Sequence, residues 1–364
     1  MTDPNVQNFN PGGLPDRLDP RDYKWSEIGF GSSPFDWNVG FDVEIELSSV
    51  LGIPNFKLPV KDQNGSGSCG GQAWSTLDSV IEAFATKTFE ERSAKFIYSQ
   101  TYYPYGGGST GRDNSDILVK QGCCIEPLCV SYNAGNPPTE TFITRPQDIT
   151  DSARINAKNA RALSYANTEI DIDMMAQVLR DNKGFVIGIT GSNNGTWSSA
   201  FPKPPKLGDL PWGHWIYVGK AKIIDGKKHL GVLNSWGTAV GEQGWQWISE
   251  DYFKAPIVAF RVPIMGGWTL IYNPDPVSGF NHNFVVQMQY GQNGVEVAAL
   301  QKALQIDGEF PASVPATGYY GDITRRAVLD FQIKYKIAPL TELIPLAGKV
   351  VGPKTRAQLN KLFN

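Results

Sequence analysis

Polar and apolar residues alternate in Asp42-Val43-Glu44-Ile45-Glu46-Leu47, a period of two that predicts a half-buried strand. The period changes after a Gly/Ser-rich turn over 64–71. Ala73, Leu77, Val80 and Phe84 then recur at helical spacing, so a helix is expected to begin close to Cys69. A second helix is predicted over 114–120. Asp171 or Asp173 is placed to cap a third that runs to about residue 182. Phe185-Val186-Ile187-Gly188-Ile189 is a short apolar run and reads as a buried strand. Beyond a proline-bearing polar loop over 191–212, residues 215–218 and 229–233 read as strands joined by the turn Asp225-Gly226-Lys227-Lys228. Helices come first and strands second, which is an α+β plan.

Composition divides the chain further. Residues 1–40 are rich in Pro, Gly, Asn and Asp and predict an extended arm. The main domain is expected over 41–272, a linker over 273–292, and a small all-α domain over 293–364. In that last segment helices are predicted over 297–304, 324–335 and 354–363. Val297, Leu300 and Leu304 share one apolar face, and Ala327, Val328 and Phe331 another.

The formal net charge of -3 gives no electrostatic case for nucleic acid or an anionic membrane surface as partner. No apolar run is long enough to span a bilayer. Met1-Thr2-Asp3-Pro4 and the residues after it lack a basic n-region and an apolar h-region, so no signal peptide is expected. A cell-wall or extracellular destination would then imply a non-classical, lysis or phage-borne route, the alternative being the cytoplasm. Of the four cysteines, Cys123, Cys124 and Cys129 crowd together while Cys69 stands apart. The three read as buried or weakly paired thiols, or as a local disulfide from Cys129 to Cys124 or Cys123. They lack the second close pair or nearby histidine of a zinc site, so neither metal nor cofactor is expected.

Cys69 sits where a loop becomes a helix N-terminus, whose dipole and free N–H groups favour a thiolate. Gly67, Gly70 and Gly71 would let a substrate backbone approach closely. Three histidines are available as partner base. His229 follows a charged turn and is expected to be solvated, and His282 falls in the linker. His214, in Trp212-Gly213-His214-Trp215, enters a predicted strand and is the best candidate. An asparagine can orient an imidazole without competing for its proton, and Asn234-Ser235-Trp236-Gly237 supplies one beside a shielding indole.

These motifs, in the order Pro59-Val60-Lys61-Asp62-Gln63, Gly67-Ser68-Cys69, Gly213-His214, Asn234-Ser235-Trp236-Gly237 and Gly241-Glu242-Gln243-Gly244-Trp245, resemble those of the papain family over about 40–262. The resemblance implies a two-lobed papain-like fold and hydrolysis of peptide bonds by a cysteine endopeptidase. It assigns Cys69 as nucleophile, His214 as acid/base, Asn234 as its orienter, Gln63 as oxyanion donor and Trp236 as shield, with Gly67 and Ser68 in support. Gly107 and Gly108 would line the substrate cleft. Two positions depart from the pattern. Gly70 stands where the family has tryptophan, with Trp74 further on, and Ser66 stands where it has a cysteine. Leu14-Pro15-Asp16 and Asp19-Pro20-Arg21-Asp22-Tyr23 resemble the short leader of bacterial members, so a long inhibitory propeptide is not expected. A catalytically silent papain fold serving a binding or structural role, for example in a virion, is the alternative reading.

Over about 293–364, the runs Gly318-Tyr319-Tyr320-Gly321, Phe331-Gln332 and Val351-Gly352-Pro353-Lys354-Thr355 resemble the three-helix peptidoglycan-binding domain. That implies peptidoglycan as a partner beside the peptide substrate. Tyr319 and Tyr320 are the candidates for stacking on sugar rings. The segment 337–348 is longer than that family's.

Overall fold

Helices gather in the first half of the larger unit and strands in its second half, in a computed structural model that describes residues 12–17, 24–27, 34–104, 107–132, 138–162, 164–272, 282–311, 314 and 316–363. The chain divides into two compact units, residues 1–271 and 272–364.

In the first unit, strands β1 (Gly13–Leu14) and β2 (Phe41–Asp42) precede helices α1 (Val43–Leu51), α2 (Cys69–Thr86) and α3 (Ala94–Thr101). Strand β3 (Ser109–Thr110) leads into α4 (Gly111–Lys120), and two short helices follow, α5 (Glu140–Ile143) and α6 (Asp151–Ala157). The sheet is built from β4 (Ser164–Thr168), β5 (Phe185–Ser192), β6 (Pro211–Ile224), β7 (Lys227–Leu233), β8 (Trp245–Ser249) and β9 (Ile264–Ile271), with α7 (Ile172–Asn182) between β4 and β5. Its order is β4-β9-β5-β6-β7-β8, and β2 also pairs with β6.

The expected helix at Cys69 is α2, and Trp74, Leu77 and Val80 on it are fully buried. Asp171 caps α7 by accepting from the Asp173 and Met174 N–H groups. β6 pairs with β5 on one side and β7 on the other, and α2 lies against it. That contact, with a backbone hydrogen bond from Trp215 to the Cys69 thiol, brings the start of α2 to the first part of β6, which is where Cys69 and His214 sit.

Two expectations fail here. Residues 43–47 are helical rather than a strand, because Val43, Glu44 and Leu47 are buried while Ile45 is 69% exposed. Asp42 caps that helix through the Glu44 N–H. His229 is buried rather than solvated. It pairs with Ser249 of β8, and its Nδ1 lies 2.9 Å from the Lys227 carbonyl.

The second unit holds β10 (Met288–Gln289), α8 (Val295–Asp307), α9 (Asp322–Lys334), α10 (Leu340–Leu346), β11 (Val350–Val351) and α11 (Pro353–Phe363). α8, α9 and α11 are the three expected helices, and the long segment 337–348 adds α10. Residues 282–292, expected as linker, belong to this unit instead. Phe284 and Met288 enter its core, β10 pairs with β11, and His282 Nε2 lies 3.0 Å from Glu296 Oε2. Residues 273–281 lie outside the described residues. No helix among the described residues is long and apolar enough to cross a membrane.

Candidate active site

Cys69 is the first residue of α2 and His214 lies in β6 between Gly213 and Trp215. Both are fully buried. The loop 61–63 is stitched to 235–237: Asp62 bridges to Trp236, and the Gln63 and Gly237 N–H groups donate to the Ser235 and Lys61 carbonyls at 2.8 and 3.0 Å. This pairing carries Gln63 to the end of β7, where Asn234 stands.

His214 Nε2 lies 2.9 Å from Asn234 Oδ1. The asparagine amide is itself held, because its Nδ2 donates to Gln246 Oε1 at 2.7 Å. Gln246 Nε2 in turn donates to the carbonyls of Trp197 and Ser199, each at 2.8 Å. With Asn234 Nδ2 committed as donor, Oδ1 must accept, so Nε2 carries the imidazole proton and Nδ1 is left as the basic nitrogen. The Trp236 ring lies 4.8 Å from the imidazole centroid at 32°, and Trp197 and Trp212 close a cluster around it. Gln246, Trp197 and Trp212 were missed by sequence reasoning. A glutamine in a segment with no predicted element carries no signal until the strand it belongs to is formed and paired.

Gln63 is buried, with Oε1 accepting from Ser235 Oγ at 2.6 Å and Nε2 donating to the Ser66 carbonyl at 2.8 Å. Ser66 Oγ donates to the Gln63 carbonyl and lies 2.7 Å from Ser68 Oγ. Hydrogen bonds therefore tie down the loop at the position where the resemblance leads one to expect a cysteine. Gly67 and Gly108 are fixed through a shared anchor. The Gly67 N–H donates to Glu140 Oε2 at 2.6 Å, Tyr98 donates to Glu140 Oε1 at 2.8 Å, and the Gly108 N–H donates to the Tyr98 hydroxyl at 2.9 Å.

Gly70 and Gly71 serve packing rather than substrate approach. A Cβ on Gly70 would fall 2.3 Å from Ser109 Oγ and 2.4 Å from Asn114 Nδ2, and one on Gly71 would fall 2.6 Å from the Ala94 carbonyl oxygen. A tryptophan cannot occupy position 70 here. Trp74, one helical turn on and on the same face, packs edge-on against Trp215 at 5.3 Å.

The arm reaches this place. Gly13 and Leu14 pair in parallel with Ser109 and Thr110, and the Ser109 N–H donates to the Gly12 carbonyl at 2.9 Å. Asp16 accepts from the Gly111 and Arg112 N–H groups at the start of α4, at 3.1 and 2.9 Å. The backbone of Gly12 also hydrogen-bonds to the Cys69 thiol. Residues 19–23, the second half of the leader-like run, lie outside the described residues. Under this cover, burial pushes the Cys69 thiol up to about 11, opposed by backbone hydrogen bonds from Trp215, Gly12 and Gly70. Burial pushes His214 down to about 4, opposed by its bond to Asn234. The covered site therefore holds a neutral thiol and a neutral imidazole at pH 7.

Cys123, Cys124 and Cys129 are free, buried thiols, and the Cys124 and Cys129 side chains hydrogen-bond to each other. Among the described residues, no group of three His, Cys, Asp or Glu side chains is arranged to hold a metal. In the second unit Tyr319 is 48% exposed, whereas Tyr320 is fully buried and donates to the Gly348 carbonyl at 2.8 Å. Tyr320 is thus a core residue, which removes it from the sugar-stacking pair.

No curated protein matches the chain. Among solved structures it is similar to xylellain, a cysteine protease from Xylella fastidiosa, with 21% identity, a TM-score of 0.56 and coverage of 73% of this chain and 97% of that one. It is also similar to procathepsin L2 from Tenebrio molitor larval midgut, with 16% identity, a TM-score of 0.52 and coverage of 74% and 81%. Procathepsin B S9 from Trypanosoma congolense matches at 14% identity and a TM-score of 0.51, over 73% and 87%. Residues 293–339 match the family model described as "Putative peptidoglycan binding domain". The chain thus carries the fold of papain-like cysteine proteases, followed by a region that matches the model of a peptidoglycan-binding family.

Proposed function

We propose that the chain is a cysteine peptidase that its second unit directs to the bacterial cell wall. The observation that carries this reading is the ordered relay of Gln246, Asn234 and His214 beside the N-terminus of α2, where Cys69 sits. A core histidine needs one partner. It does not need an amide whose own orientation is locked by a second amide.

In the reaction His214 Nδ1 takes the Cys69 proton, and the thiolate attacks the carbonyl carbon of the peptide bond. The oxyanion draws on Gln63 Nε2 and on the N–H groups at the start of α2. Imidazolium returns the proton to the leaving amine. Water, deprotonated by the same imidazole, then cleaves the thioester and releases the carboxylic acid and the thiol. Asn234 holds the ring in plane through both steps, and Trp236 keeps bulk water from that bond.

A peptidyl epoxide is expected to label Cys69 one to one in the full chain or in Asp16→Ala, whose arm has lost its anchor, and the label should vanish in His214→Ala. The same chains should digest a denatured protein, and Cys69→Ala should not. Absence of both labelling and digestion in either background would favour the silent-fold reading. Comparing digestion of denatured protein with release of peptides from purified sacculi identifies the natural substrate class.

A further inference from the structure

The arm passes over Cys69 as Gly12-Gly13, and the reason for glycine there is space. A Cβ on Gly12 would lie 1.8 Å from the Gly67 carbonyl oxygen, and one on Gly13 would lie 2.4 Å from the His214 nitrogen. The walls are glycine as well. A Cβ on Gly108 would come within 2.2 Å of the Gly12 oxygen, and one on Gly213 within 2.2 Å of the Gly13 oxygen. Neither Gly12 nor Gly13 has the left-handed φ that would call for glycine on conformational grounds. The opposing atoms are main-chain atoms, so no rotamer change relieves the overlap. Both walls are also braced. One is hydrogen-bonded to Tyr98 and Glu140, and the other, Gly213-His214, is paired with Thr190 and Ile189 of β5.

From this we infer that the cleft over Cys69 is a slot for two successive glycines, and that the substrate class is peptides carrying a Gly-Gly pair. Gly12-Gly13 is the chain's own occupant of the slot. The width is set by backbone on both sides, so it constrains a peptide lying in either direction. As a statement about substrates this rests on the peptidase reading above. As a statement about the slot it does not.

The test uses the full chain. In Asp16→Ala, internally quenched peptides that differ only in a central Gly-Gly, Gly-Ala, Ala-Gly or Ala-Ala pair should be cleaved with kcat/KM ~10–100-fold higher for Gly-Gly than for Ala-Ala, the usual penalty for overpacking a fixed site. Rates equal within twofold would overturn the proposal and leave the peptidase reading standing. If no peptide is cleaved, the peptidase reading falls, and a binding experiment decides the slot. Gly13→Ala should unseat the arm, so that iodoacetamide alkylates Cys69, followed by mass spectrometry of its own peptide, at least tenfold faster than in wild type. A synthetic Gly-Gly-Leu-Pro-Asp-Arg peptide should then restore protection, and its Ala-Ala counterpart should not. Protection by both peptides, or by neither in a chain whose thermal unfolding matches wild type, overturns the inference. If Gly13→Ala does not fold, the same protection assay in Asp16→Ala decides between the two outcomes.

Discussion

His214 illustrates how a single side chain ties the site to solution conditions. Its folded pKa of about 4 lies below the ordinary 6.5, because burial disfavours the imidazolium. The unfolded chain therefore binds the proton first as pH falls. The stability that the neutral ring supports is complete above pH 6.5 and is lost as pH drops toward 4, by about 3 kcal/mol for that shift. Urea unfolding at pH 7.5 and 4.5 should show this loss in wild type and a loss smaller by that amount in His214→Gln. An equal pH dependence in both would contradict the burial of the ring. At this scale the sequence was informative about chemistry and blind to support. That Cys69, His214, Asn234 and Gln63 come together was legible because their motifs keep a fixed order along the chain. Gln246 was not, since its role exists only once β7 and β8 pair.

At the scale of elements, α1 was misread for a physical reason. Its sequence alternates because Glu44, a carboxylate, points inward while Ile45 points out. Glu44 accepts from Lys220 Nζ at 2.7 Å, Lys57 Nζ at 3.1 Å and the Leu58 N–H at 3.1 Å. Burial raises its pKa, and these donors more than reverse the effect, so the carboxyl stays ionised below its ordinary range. A hydropathy pattern counts a buried, paired carboxylate as a surface position, and so the period of two was spurious. Glu44→Ala should destabilise the first unit by about 2 kcal/mol, because it removes one of the two carboxylates that meet the buried Lys220 ammonium, Asp42 Oδ2 remaining at 3.0 Å. Glu44→Leu combined with Lys220→Met should recover most of that in urea unfolding. A single-variant loss under about 1 kcal/mol would mean the pair is effectively solvated. By contrast α2, α7, β5 and β7 were legible, since their apolar residues recur at the period of the element they form.

For the molecule as a whole, the division into two units followed from a change in composition, but its boundary did not. Residues 282–292 look like linker because Asn and Gln abound, yet Phe284 and Met288 anchor them in the second core. Two apolar residues are enough to dock a segment and too few to give a period. The paired tyrosines separate in the same way. Tyr319→Ala should lower retention of the full chain on purified sacculi several-fold and leave thermal unfolding unchanged. Tyr320→Phe should keep retention and lower stability by about 1 kcal/mol through loss of its bond to Gly348. Unchanged retention in Tyr319→Ala would remove stacking at that residue from the account of wall binding.

The covalent attachment of Gly12-Gly13 sets a threshold for anything that competes with it. A tethered segment acts at an effective concentration in the millimolar range, whatever the dilution of the protein. A free peptide must exceed that level or bind correspondingly better, and diluting the protein does not help it. A single cut in the arm would turn that local concentration into the bulk one, a fall of several orders of magnitude at micromolar protein. Release of the site by cleavage would then be a one-way event, set by the tether rather than by the strength of any contact.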